Sequence, residues 1–172
     1  FLHDSGQPPA GMKRQILQLA RVGQVVAPNL FDIAGILTRK NIQPTYEDMV
    51  HKFNQLELLN NGDKTGIVAV SLGAGFAWEY AAQKPQEVEW ITTGSALGYP
   101  LHRSLFDWLV EFIRVSIQTA RIPQEIRKRD EGTKLIKRQL KKDPRGVLAI
   151  LWLAVHTDST EQLRELIFYQ KI

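Results

Sequence analysis

A serine at position 71 closes an apolar run, Ile67-Val68-Ala69-Val70, and is followed at once by Leu72-Gly73-Ala74-Gly75-Phe76-Ala77. The order reads as strand, sharp turn, helix. A serine at such a turn takes up strained backbone geometry with its hydroxyl exposed, and small neighbours such as Gly73 and Ala74 let the chain turn without side-chain clashes. Ser71 is therefore a candidate nucleophile. A plain helix N-cap is the competing reading, because serine fills that role often. Gly73-Ala74-Gly75 also suggests a dinucleotide loop, but that fingerprint wants a third glycine where Trp78 stands.

A serine hydroxyl alone is a poor nucleophile at neutral pH; it needs a histidine to take its proton and an acid to orient that histidine. His51 falls on the polar side of its expected helix, which suits a solvated residue. His102 and His156 follow Ser71 in the chain, and Asp158 comes two residues after His156, too close for a usual acid and base pair. A helix-end or pocket-lining place suits His156 better. With no cysteine, disulfides and thiolate metal sites are excluded, and no metal or cofactor is expected.

The elements that must carry Ser71 alternate. Phe1-Leu2 reads as the tail of a buried strand, 3–9 as a loop, and about Gly11 to Val22 as a helix with Met12, Ile16, Leu19 and Ala20 at helical spacing. Gln24 to Pro28 reads as a strand stopped by proline. Asn29 to Pro44 is expected to be mostly loop. Thr45 opens a helix with Asp48 three residues on, close to a capping box, and Asn60-Asn61-Gly62-Asp63 follows it. Then come the strand into Ser71, a helix to about Lys84, a break at Pro85 and a strand from Val88 to Thr93. Such alternation implies parallel strands, with functional groups at their carboxyl ends.

From Leu101 onward only helical spacing remains. Leu105, Trp108, Leu109, Phe112 and Val115 form one stripe, Leu135, Ile136 and Leu140 another, and Val147 to Val155 and Leu163 to Tyr169 read as two more helices. A boundary near Gly98-Tyr99-Pro100 divides a sheet-forming part, 1–100, from a helical part, 101–172.

The 172 residues are 44% apolar and 23% charged, ordinary for a globular chain and unlike a disordered one. No apolar stretch approaches the roughly 20 residues a membrane span needs, and no signal peptide is readable at Phe1-Leu2-His3. Net charge is +4, unevenly placed: Arg121 to Arg145 holds ten Lys/Arg against four Asp/Glu. That segment could contact nucleic acid or an anionic membrane, yet its apolar residues fall at helical spacing, which suits an amphipathic helix with a solvated face. Aromatic residues are not interleaved with its charges, which disfavours single-strand binding.

The order His3-Asp4-Ser5-Gly6, Ala27-Pro28-Asn29, strand-Ser71-helix, then Pro85-Gln86-Glu87-Val88, resembles the α/β-hydrolase superfamily over roughly residues 1 to 100. In that family a His-Gly loop, an Ala-Pro-Asp strand end, a Gly-x-Ser-x-Gly elbow and a Pro-x-x-Val lead-in recur with similar spacing. Three positions depart from the pattern: Ala69 stands at the first elbow glycine, Asp4 at the loop glycine and Asn29 at the aspartate. The resemblance implies an α/β fold, a partial α/β-hydrolase with a parallel sheet flanked by helices, and an all-helical cap inserted after the sixth strand. It implies that Ser71 is the nucleophile and that the backbone N–H groups of Ser5 and Leu72 form the oxyanion hole. It also makes His3 a residue that holds the oxyanion loop.

Pocket-lining candidates are His3, Trp108, Phe112, Trp152 and His156; the aromatics are more often core than ligand stack, though in a cap some would face the substrate. The family's acid and histidine follow the cap after further strands, so the chain is expected to be an internal fragment without its first strands or its acid and base. The expected function is cytoplasmic hydrolysis of an ester or similar small substrate through an acyl-enzyme. A non-catalytic relative that keeps the fold for binding or scaffolding is the alternative.

Overall fold

A computed structural model describes residues 1–4, 8–40, 43–59, 64–94, 114 and 131–156, with backbone alone for 131–133, 136, 151 and 154–156. The boundary at 98–100, the stripe from Leu105 to Val115 and the helix expected over 163–169 lie outside these residues. The described chain is mixed α/β, with two parallel strands and six α-helices.

Strand β1 (Thr65–Val70) pairs in parallel with β2 (Val88–Gly94), Val68 opposite Thr92 and Val70 opposite Gly94. Leu2 bridges Ala69 in parallel: its N–H donates to the Val68 carbonyl (2.8 Å), and its carbonyl accepts from Val70 N–H (3.0 Å). The next amide, Ser71 N–H, points the other way, to the Gly94 carbonyl at 2.8 Å. Leu2 and β2 therefore flank β1 on opposite sides. The amine of Phe1 donates in turn to the Val26 carbonyl at 2.7 Å. Across the layer the order is thus 26, 2, β1, β2.

The chain steps outward from the Leu2 segment in one direction to Val26, then returns to add β1 and β2 on the other side. That reversal lies between Leu2 and β1, the kind of switch point where open α/β sheets leave a crevice outside their carboxyl ends. His3 and Asp4 leave one side of it and Ser71 the other. The strand expected over Gln24–Pro28 is not formed as such; its recorded tie is the single bond from Phe1.

Helix α1 (Lys13–Leu19) follows a short 3₁₀ turn at Pro9–Met12 and has no buried residue. The loop expected over 29–44 is corrected by α2 (Leu30–Arg39), capped by the Asn29 side chain, which accepts from Phe31 N–H at 3.2 Å. Leu30, Phe31, Ile33, Ala34 and Leu37 give it a buried face at helical spacing. Helix α3 (Tyr46–Asn54) begins at a complete capping box: Asp48 N–H donates to Thr45 Oγ1 (3.1 Å) and Thr45 N–H to Asp48 Oδ2 (3.0 Å). Helix α4 (Leu72–Gln83) starts directly after Ser71 and is buried on nearly every side, with α3 packed against it through Tyr46 and Phe53.

Helices α5 (Glu131–Lys142) and α6 (Pro144–His156) are separated by Asp143 alone. Val147, Ala149, Ile150 and Leu153 of α6 join the same apolar cluster as α2, α3 and α4. Gly146 lets the helices meet closely, since a Cβ there would stand 2.5 Å from the Phe31 carbonyl oxygen. Asp143, nearly buried, accepts from Gly146 N–H (3.1 Å) and from Arg39 Nη2 (3.0 Å), so one carboxylate caps α6 and ties it to α2. Among the described residues no helix is long and apolar enough to cross a membrane.

Candidate active site at the end of the central strand

Ser71 has φ 54° and ψ −116°, in a region that L-residues seldom occupy and that costs of order 1–3 kcal/mol unless the surroundings enforce it. The surroundings here are identifiable. Its own N–H is held by the Gly94 carbonyl of β2, and its carbonyl accepts from Ala74 N–H at 3.0 Å, the first bond of α4. Strand and helix are both fixed, and the single residue between them absorbs the change of direction.

The hydroxyl makes no cap bond to α4. A helix-capping serine ordinarily has an extended backbone and an oxygen that accepts from the N2 or N3 amide. Ser71 has neither. The residue is half-buried, and among the described residues no bond to its hydroxyl is formed.

Leu72 is fully buried, and its amide is the first of α4, one of the donors that no intrahelical carbonyl can satisfy. The aligned peptides of the helix add positive potential at the same point. Gly73 brings this end against the other side of the switch point: a Cβ there would lie 2.7 Å from the Leu2 carbonyl and 2.9 Å from that of His3. Only glycine permits that approach, so the start of α4 and the segment carrying Asp4 are neighbours.

His3 is fully buried and stacked on Phe31, with ring centroids 5.1 Å apart. Its Nε2 accepts from Leu30 N–H at 2.8 Å, which leaves Nδ1 to carry the proton and donate to the Asp4 carbonyl at 2.7 Å. Both nitrogens are taken. His3 therefore sits inside the core and fixes the loop start to the first turn of α2.

Tyr46 was not singled out by sequence and supports the elbow from beneath. Its hydroxyl donates to the Leu72 carbonyl at 3.1 Å, and its ring fills the space that a Cβ on Gly75 would need. Burial pushes the phenol well above its usual range, so it remains the protonated donor. Its only local signal was its place directly after the Thr45 cap.

Ser5, Trp108 and Phe112 lie outside the described residues, as does the side chain of His156; Trp152 is on the outer face of α6 and partly exposed. His51 is exposed, its Nε2 3.0 Å from Gln55 Nε2. Among the described residues no group of three metal-ligating side chains occurs. A cavity of about 490 Å³ opens instead on the amino-terminal half of β1, lined by Val26, Phe53, Gly66, Phe76 and Trp90 among others, and Ser71 does not line it. Against protein-family models, curated proteins and solved structures alike, the chain has no match.

Proposed function

We propose that the chain carries the nucleophile and part of the oxyanion hole of a serine hydrolase of α/β-hydrolase type, acting in the cytoplasm on an ester or similar small substrate. The observation that carries this reading is the backbone of Ser71, φ 54° and ψ −116°, with its hydroxyl uncommitted between strand and helix. A residue meant only to cap α4 would gain nothing from that strain. In the proposed reaction a histidine base takes the proton of Ser71 Oγ as that oxygen attacks the carbonyl carbon, the acyl oxygen develops negative charge toward Leu72 N–H, and the alcohol leaves with the same proton returned by the imidazolium. One oxyanion donor is typically worth about 3 kcal/mol in the transition state.

Asp4 favours a second reading, a non-catalytic relative that uses the same crevice for binding. Its carbonyl is fixed by His3 and its carboxylate belongs to the loop facing the start of α4, where charge would accumulate. One experiment separates the two. A fluorophosphonate should label the full-length protein at Ser71 and leave S71A unlabelled; a folded full-length protein that resists the probe selects the binding reading.

A further inference from the structure

Helices α5 and α6 both turn their inner faces to α2. From α5, Gln139 Nε2 donates to Asp32 Oδ1 at 3.1 Å and Lys142 Nζ reaches the same carboxylate at 3.3 Å; from α6, Val147 and Ile150 enter the core. Each helix has a further face turned away from α2. What those faces carry is specific. On α5, Lys137, Arg138 and Lys141 are exposed at helical spacing, with no acidic side chain bonded to them among the described residues. On α6, Arg145, Leu148 and Trp152 share one face (i, i+3, i+7), and Leu148 is 61% exposed; Leu140 of α5 is 46% exposed.

Acidic residues are not scarce nearby, but they are used up inward: Asp143 is taken by Arg39 and Gly146, and Asp32 by Gln139 and Lys142. Among the described residues the inner surface takes up the carboxylates, and the exposed charges of α5 and α6 are basic. Exposed lysines alone would be a solvated face. Large aliphatic side chains exposed beside them are not explained by solvation, and the combination of basic residues with leucine and tryptophan is that of a helix lying in a lipid headgroup layer. A nucleic acid would be served by the charges and not by the leucines.

We propose that the outer faces of α5 and α6 dock on an anionic phospholipid surface, with Lys137, Arg138, Lys141 and Arg145 against lipid phosphates and Leu140 and Leu148 inserted below them. The proposal is independent of the chemistry at Ser71.

The test is co-sedimentation of the full chain with vesicles of phosphatidylcholine alone and of phosphatidylcholine with phosphatidylserine. Binding should require phosphatidylserine and weaken as salt rises. K137A/K141A should lower partition about 25-fold, at about five-fold per charge. L148S should lower it several-fold at constant charge, and K52A/K64A, the same charge change elsewhere, should leave it unaltered. Equal binding to neutral vesicles, no binding to either, or an equal loss in K52A/K64A would overturn the proposal. So would tighter binding to a DNA oligonucleotide that L148S leaves intact, which would assign the face to nucleic acid. All substituted side chains are at least partly solvated, and unchanged thermal melts verify that the variants fold.

Discussion

The two ends of α2 are held by opposite kinds of chemistry. At its amino end the contacts are backbone-directed: Leu30 N–H donates to a buried imidazole, which in turn fixes the Asp4 carbonyl. Along its flank and at its carboxyl end the contacts are volume and charge, with α6 pressed close where Gly146 meets the Phe31 carbonyl and with Arg39 paired to Asp143. The first arrangement specifies direction at the rim of the sheet, through hydrogen bonds between buried groups. The second holds mass in place and specifies no reactive geometry. A catalytic elbow needs the first kind, because an attacking oxygen must be aimed, whereas the helical pair only needs to stay attached.

Phe31 joins the two regions, so its removal should have the largest effect. Its ring stacks on His3 and its carbonyl lies under Gly146. F31A should cost about 3–5 kcal/mol in urea unfolding, the range for truncating a buried aromatic. If the loss is near 1 kcal/mol, the two ends of α2 are less coupled than their shared residue implies.

A matched pair of glycine substitutions sharpens the comparison. At Gly73 an added Cβ meets the Leu2 and His3 carbonyls, and at Gly146 it meets that of Phe31; both obstacles are backbone and cannot swing aside. Each change should cost about 1–3 kcal/mol by overpacking, at Gly146 against the roughly 1 kcal/mol that alanine gains in a helix. Function should separate them. G73A should abolish fluorophosphonate labelling at Ser71 at temperatures where it remains folded, and G146A should spare it. Loss of labelling in both would mean that the elbow is not locally built.

Much of this was legible where the cause is local. The switch from apolar run to serine to small residues is a property of neighbours, and so is the Thr45–Asp48 cap; both are present in the folded chain. Helix α2 was legible too, since Asn29 supplies a cap and Leu30, Ile33, Ala34 and Leu37 recur at helical spacing where a loop was expected. Asp143-Pro144 is a similar overlooked start, a capping carboxylate before a proline at the first helical position. The supports of the site are a different matter. His3 meets Leu30 across 27 residues and Tyr46 meets Leu72 across 26, and no periodicity records such pairings. A buried histidine with both nitrogens engaged looks, in sequence, the same as one facing a substrate.

The smallest predicted effect isolates the strain itself. S71A keeps the Cβ and loses only a hydroxyl that makes no cap bond, so stability should stay within about 0.5 kcal/mol of the parent. S71G removes the Cβ at φ 54°, where glycine alone is at ease. Relief of the strain outweighs the added freedom of the unfolded chain, and S71G should gain about 1 kcal/mol. On the proposed reading neither variant reacts with a fluorophosphonate, and a gain in S71G over S71A reports relief of backbone strain in excess of the unfolded chain's added freedom. A lower stability of S71G than of S71A would mean that Ser71 rests in ordinary backbone space, and the distinction between an aimed rim and a packed flank would lose its physical basis.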